Sequence, residues 1–254
     1  INNDENSIIT KRIASFADKS PDSIAIYFED REISYRELIN GANQYSHWFL
    51  DNGLQKGDVV ALLMENRPEF LMAWIGIAQV GGTAALINTN LTGHPLNHSL
   101  SISGANKLIL GKELVTNFET TDDTIKSGFQ VWIEGDTDKT NYEKLNLALE
   151  KLSNIMPSIS YNVTNEDVAL YIYTSGTTGD PKAATITHRR LRLMLMGFAS
   201  AVVPKKKDRI YNVLPLYHSA GGIIAVGLAL TTGASLVLKR KFSVSDFWSD
   251  VNKY

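Results

Sequence analysis

No cysteine occurs anywhere in the 254 residues, which excludes disulfide staples, zinc–thiolate centres and thiol nucleophiles. Strong charge of one sign is missing as well. The 25 Lys and Arg against 27 Asp and Glu leave a net charge of −2, so no basic field points to nucleic acid. The longest apolar stretches, Leu191 to Val203 and Gly221 to Leu230, fall short of the ~20 residues that a membrane-spanning helix needs. Ile1 to Asn6 is polar and acidic and carries no secretory signal, so a cytoplasmic location is the default expectation. The histidines His47, His94, His98, His188 and His218 are scattered. His94 and His98 stand four apart, but no glutamate follows His94, which argues against a zinc helix.

What is present reads as a globular α/β chain. Apolar residues make up 44% and charged residues 20%, enough to build a core in one large domain or two modest ones. Ile8 to Lys19 reads as a short amphipathic helix, followed by a hairpin of Ile24–Phe28 and Arg31–Ser34. Ser34 and Glu37 form a capping box, and Leu38, Ala42, Tyr45 and Phe49 then mark one face of a helix that Gly53 ends. Apolar strands at Val59–Met64, Thr83–Ile87 and Lys107–Leu110 alternate with helices at Pro68–Val80 and Pro95–Ser103. That alternation predicts right-handed crossovers onto a parallel sheet. A strand at Gln130–Ile133 and a helix at Tyr142–Leu152 follow. Pro157 to Asn165 is the expected connector between subdomains 1–160 and 161–254. Beyond it the expected elements are strands at Val168–Tyr173, Ala183–Thr187, Arg209–Leu214 and Ser235–Leu238, and helices at Arg189–Ala201 and Ser219–Thr231. Thr187 is a plausible cap, and Ser243 with Asp246 should cap a last helix to Tyr254. The absence of an initial methionine and the ending inside an amphipathic pattern suggest a cut or processed piece.

The segment Tyr171-Ile172-Tyr173-Thr174-Ser175-Gly176-Thr177-Thr178-Gly179-Asp180-Pro181-Lys182 carries the clearest chemistry. An apolar strand stops in four hydroxyls and two glycines, and a lysine closes the run. Small residues let backbone N–H groups approach a polyanion, and Lys182 supplies a point charge. A plain Ser/Thr/Gly surface loop is the bland alternative. It is disfavoured because apolar strands flank both sides. The spacing is not that of a P-loop, which ends Gly-Lys-Ser/Thr, and no Gly-x-Gly-x-x-Gly follows the first parallel strand.

Thr174 to Lys182 resembles the phosphate-binding signature of the adenylate-forming superfamily, which includes acyl-CoA synthetases, luciferases and peptide-synthetase adenylation domains. Leu214-Pro215-Leu216-Tyr217-His218-Ser219-Ala220-Gly221 is similar to that family's Pro-Leu-x-His motif. Leu86-Ile87-Asn88-Thr89-Asn90-Leu91 and Lys239-Arg240-Lys241-Phe242-Ser243 resemble the fatty-acid transport protein and very-long-chain acyl-CoA synthetase branch. The resemblance implies two stacked sheet–helix subdomains, with mostly parallel sheets flanked by helices. It also implies a two-step ligase reaction. A fatty acid or related carboxylate attacks ATP to give acyl-AMP and pyrophosphate, and CoA then displaces AMP. By the same resemblance Tyr173, Thr174, Ser175, Gly176, Thr177, Thr178, Gly179 and Lys182 would hold the triphosphate, Thr178 would border Mg²⁺, and His218 would face the carboxylate. The family's adenine-binding Thr-Glu motif, ribose-binding aspartate, hinge and catalytic lysine are not in these 254 residues. The chain alone is therefore expected to lack ligase activity.

Other readings remain open at this stage: a non-catalytic acyl-binding or transport module, an unrelated phosphate-binding enzyme, or a ligase for a carnitine-type or aromatic acid. The run His188 to Met196 with Lys205, Lys206 and Lys207 allows peripheral contact with an anionic membrane. A core helix with solvated basic ends is the favoured account of it.

Overall fold

The computed structural model describes residues 8–138, 140–174 and 181–254. In chain order the elements are α1 (Ile9–Lys19), β1 (Ile24–Phe28), β2 (Arg31–Ser34), α2 (Tyr35–Asp51), β3 (Val59–Leu63), α3 (Pro68–Gln79) and β4 (Thr83–Leu86). Next come α4 (Gly93–Ser101), β5 (Lys107–Gly111), α5 (Val115–Glu119), α6 (Asp123–Ser127), β6 (Gln130–Glu134), β7 (Glu143–Lys144) and α7 (Leu145–Leu149). The last third holds β8 (Val168–Thr174), β9 (Lys182–Thr187), α8 (His188–Val202), β10 (Arg209–Asn212), α9 (Val226–Leu230), β11 (Ser235–Leu238) and α10 (Phe247–Lys253).

Seven strands form one sheet in the order β7-β6-β5-β3-β4-β8-β9, and four form a second in the order β10-β11-β1-β2. From β7 to β8 every neighbouring pair is parallel, and β9 closes the edge antiparallel to β8. In the smaller sheet β10, β11 and β1 are parallel, and the β1–β2 hairpin is antiparallel. The α/β class with mostly parallel sheets flanked by helices is therefore as expected. The division at residue 160 is not followed by the sheets. β8 and β9 join strands that precede the connector, and β1 and β2 join strands that follow it. Parallel pairing needs long crossovers, so sequence neighbours need not share a sheet.

The alternation of side chains along the strands divides the core. Val60, Leu62, Ala84, Leu86, Leu170 and Ile172 face a large cluster that also takes in α2, α3 and both sheets. Ala61, Leu63, Ala85, Leu108 and Leu110 face a second cluster with α4 and α5, against which Tyr171 and Tyr173 pack. α3 is buried almost all round, including Phe70, Leu71, Trp74, Ile75 and Ile77, as befits a helix inside the core. α2 starts with the expected capping box at Ser34 and Glu37. Among the described residues no helix is long and apolar enough to cross a membrane. α8 buries Leu191 and Leu195, and Arg189 and Arg190 stay exposed at its start.

Several local expectations are corrected. The helix expected over 142–152 is only α7, because Glu143 and Lys144 pair with Trp132 and Ile133 as an edge strand. The weakly periodic stretch after β5 contains a short 3₁₀ turn (Lys112–Leu114) and then α5 and α6. The helix expected over 219–231 begins as a π-helical turn, Ser219–Ala225, before α9. The last helix lacks its expected cap: Ser243 Oγ bonds Ser245 Oγ, and no side chain caps the helix at Asp246.

Candidate active site

The segments leaving the carboxyl ends of β3 and β4 hydrogen-bond to those leaving β10 and β11, and such strand ends are the place where open α/β sheets bind ligands. β8 ends at Thr174 and β9 starts at Lys182, and these two residues stand opposite each other in the antiparallel register. Both are exposed, so a hydroxyl and an ammonium flank the two ends of the intervening segment. Ser175, Gly176, Thr177, Thr178 and Gly179, expected to bind phosphate, lie outside the described residues. Tyr173, expected to contact the nucleotide, immediately precedes the exposed Thr174. Its ring is half-buried against the second core cluster, with Ser103 beside its hydroxyl, and burial pushes the phenol pKa up.

The exit of the same segment is held from α4. His98 Nε2 lies 3.1 Å from the carbonyl oxygen of Pro181, the residue before Lys182. Nothing in the residue pattern around His98 indicates this partner, because the contact spans 83 positions.

His218 lies on the loop after β10 and is exposed. It occupies the N-cap of the π-helical turn, and its Nδ1 accepts from the Ala220 amide at 3.2 Å. That bond assigns the ring proton to Nε2, leaving a donor directed away from the backbone. The loop is shaped by backbone packing. A Cβ on Gly222 would sit 1.9 Å from the Leu216 carbonyl oxygen, and one on Gly221 would sit 2.4 Å from that of Pro215. Neither position has room for a side chain.

Tyr217, the neighbour of His218, accepts a hydrogen bond from Asn90 Nδ2 at 3.0 Å. Asn90 follows β4, the strand paired with β8, so the histidine loop is fastened beside the strand that ends in Thr174. Burial raises the Tyr217 pKa, and hydrogen bonding with Asn90 and Thr89 opposes that rise. The Leu86 to Leu91 string thus has a structural partner in the histidine loop.

The donor set at Thr174 and Lys182 suits phosphate oxygens, which accept from hydroxyl and ammonium groups alike. It is a poor fit to a bare dication. Among the described residues no group of three His, Cys, Asp or Glu side chains converges as a metal cage.

Comparison with known proteins agrees with this architecture. Residues 13–254 match the family model described as AMP-binding enzyme. Mouse long-chain fatty acid transport protein 6 is 34% identical over 249 residues, covering 97% of this chain and 40% of the relative. Human long-chain fatty acid transport protein 1 is 38% identical over 225 residues, covering 87% of this chain and 35% of the relative. The chain thus spans about two fifths of the length of these relatives. The inhibitor-bound N-terminal domain of FACL13 from Mycobacterium tuberculosis superposes with a TM-score of 0.87 at 27% identity, over 97% of this chain and 60% of that one. With the family model matched from residue 13 to the last residue, the chain belongs to the AMP-binding enzyme family.

Proposed function

We propose that this chain supplies the triphosphate and carboxylate side of an AMP-forming fatty acid–CoA ligase. The observation that carries the reading is the Asn90–Tyr217 hydrogen bond. It ties the His218 loop to the strand beside β8, where Thr174 and Lys182 face each other. Similarity to proteins named long-chain fatty acid transport proteins supports a fatty acid as the carboxylate.

In this reading Lys182 neutralises phosphate charge as pyrophosphate leaves, and Thr174 donates to a phosphate oxygen. By the family resemblance, the hydroxyls and amides of Ser175 to Gly179 would serve the same anion, and Thr178 would be the residue beside phosphate-bound Mg²⁺. When bound, Mg²⁺ supplies further charge neutralisation at the phosphates. His218, with its proton on Nε2, donates to the attacking carboxylate and holds one oxygen in line with the α-phosphorus. CoA enters after AMP has been attached to the acid, as the second nucleophile. Any membrane contact is peripheral, through the basic ends of α8.

The family's adenine-binding motif and lysine are not among these 254 residues, so the test compares two proteins. The 254-residue chain alone should give no acid-dependent ATP–pyrophosphate exchange above background. The same chain completed with the carboxyl-terminal portion of a curated relative should give it, and His218→Ala should lower it about 10²-fold, the scale of losing one oriented donor. Exchange by the chain alone would contradict the division of labour. A completed protein that binds fatty acid without exchange would favour the non-catalytic acyl-binding reading.

A further inference from the structure

The segment that follows β3 makes an unusual connection. Asn66 is buried, with 4% of its surface exposed, and it bonds to both loops of the smaller sheet that matter here. Its Nδ2 donates to the Leu214 carbonyl at 2.9 Å and to the Lys239 carbonyl at 2.8 Å. Its Oδ1 accepts from the Leu216 amide at 2.8 Å. Two carbonyls and one N–H fix the orientation of the amide, since the reverse flip would set oxygen against oxygen.

Those partners are strategic. Leu214 and Leu216 bracket Pro215, whose carbonyl accepts the His218 amide at 3.1 Å. Lys239 follows β11. One side chain therefore joins the end of β3 in the large sheet to the ends of β10 and β11 in the small one. Asn66 is itself anchored from both sides. Glu113 accepts the Glu65 amide at 2.8 Å and pairs with the buried Arg67.

We propose that Asn66 is a positioning residue for His218. It acts by fixing the Leu214–Leu216 backbone against which the histidine and the π-helical turn are built. The inference rests on His218 being the carboxylate-facing group, but its geometry stands apart from turnover. The chain holds 214–216 between two rigid partners, with Asn66 on one side and Gly221 and Gly222 at close approach on the other. A serine or alanine at 66 reaches none of these partners or only one. A leucine would remove the acceptor of the buried Leu216 N–H and the donor to the Leu214 and Lys239 carbonyls.

Nuclear magnetic resonance of the isotope-labelled 254-residue chain tests the proposal without any assay of catalysis. The readouts are the imidazole nitrogen shifts of His218, which report its tautomer, and the exchange rates of the Leu216, Leu62 and Leu86 amides. Asn66→Ala should accelerate Leu216 exchange by about tenfold or more, the scale of one buried hydrogen bond. It should also shift His218 away from a single Nε2–H tautomer, while Leu62 and Leu86 exchange as before. Asn66→Asp keeps an acceptor for the Leu216 amide but sets a carboxylate against the two carbonyls. It should preserve Leu216 protection and still alter the His218 shifts. An unchanged His218 signature in either variant overturns the proposal. So does acceleration of all three amides together, which marks a general loss of stability. If Asn66→Ala is insoluble, the aspartate variant decides by the same criteria. A negative result here leaves the exchange experiment with His218→Ala untouched, so the two ideas fail separately.

Discussion

At the residue scale, the proposed site consists of a few exposed groups held by buried ones. Lys182 makes none of the ion pairs found among the described residues, so Lys182→Ala should cost little stability. It should weaken binding of MgATP by about tenfold, as expected for one charge-assisted contact. Titration calorimetry against the unsubstituted chain measures this directly. Gly222→Ala should be far more damaging to the fold than its size suggests. The added methyl meets a backbone oxygen at 1.9 Å, and backbone cannot swing aside as a side chain does. A loss of about 1–3 kcal/mol is expected from overpacking of this kind, read from urea unfolding. Gly197→Ala, inside α8 and with nothing within 4 Å of the added methyl, is the control and should instead stabilise by about 0.5–1 kcal/mol, the helix-propensity gain of alanine over glycine.

At the scale of single elements, α2 and α8 show what local sequence controls. Ser34→Ala removes the side chain that accepts from Glu37 N at 3.1 Å and donates to the Glu37 carboxylate at 2.7 Å. Loss of such a cap costs about 1 kcal/mol, and thermal unfolding should register it without change at the site. α8 begins at His188, which is fully buried with neither ring nitrogen partnered among the described residues. Burial lowers its pKa from 6.5 to about 4, only partly opposed by Asp167. The unfolded chain therefore takes up this proton first as pH falls. The stability contributed by neutral His188 is complete above about pH 6.5 and is lost progressively down to about pH 4. His188→Gln should flatten the stability profile across that window while leaving the pH 8 value the less affected. Equal slopes in both proteins would remove His188 as the cause.

These elements also show which features a sequence makes legible. Ser34 with Glu37 and Thr187 before α8 act over three residues, and both caps form as the sequence suggests. The strands of the parallel sheet are visible because they are continuous apolar runs. The π-helical turn is not, since it is imposed by Gly221 and Gly222 lying on the 214–216 backbone. The edge strand β7 is two residues long and is defined by its partner β6, leaving no periodicity to read. Ser243 and Asp246 match a capping pattern, yet the hydroxyl turns to Ser245.

At the scale of the whole molecule, the two sheets exchange strands across residue 160, and the candidate site lies where their carboxyl ends meet. The motifs at Thr174–Lys182 and at His218 are legible one by one. The contacts that bring them together are not, because Asn90–Tyr217 spans 127 residues and Asn66–Leu216 spans 150. Folding of the first strands with the last ones is thus a precondition for the site. A chain cut within 157–165 should separate β8 to β11 from their partners and leave neither half able to bind nucleotide.

The central claim is that the ends of the Thr174–Lys182 segment and the His218 loop form one site for a triphosphate and a carboxylate. Titration of MgATP into the isotope-labelled chain, with amide shifts followed residue by residue, tests it most directly. Shifts concentrated at Thr174, Lys182 and the Tyr217–Ala220 stretch, reversed by pyrophosphate and moved to about tenfold higher MgATP by Lys182→Ala, are the expected result. Shifts that avoid these residues, or that persist unchanged in Lys182→Ala, would contradict it.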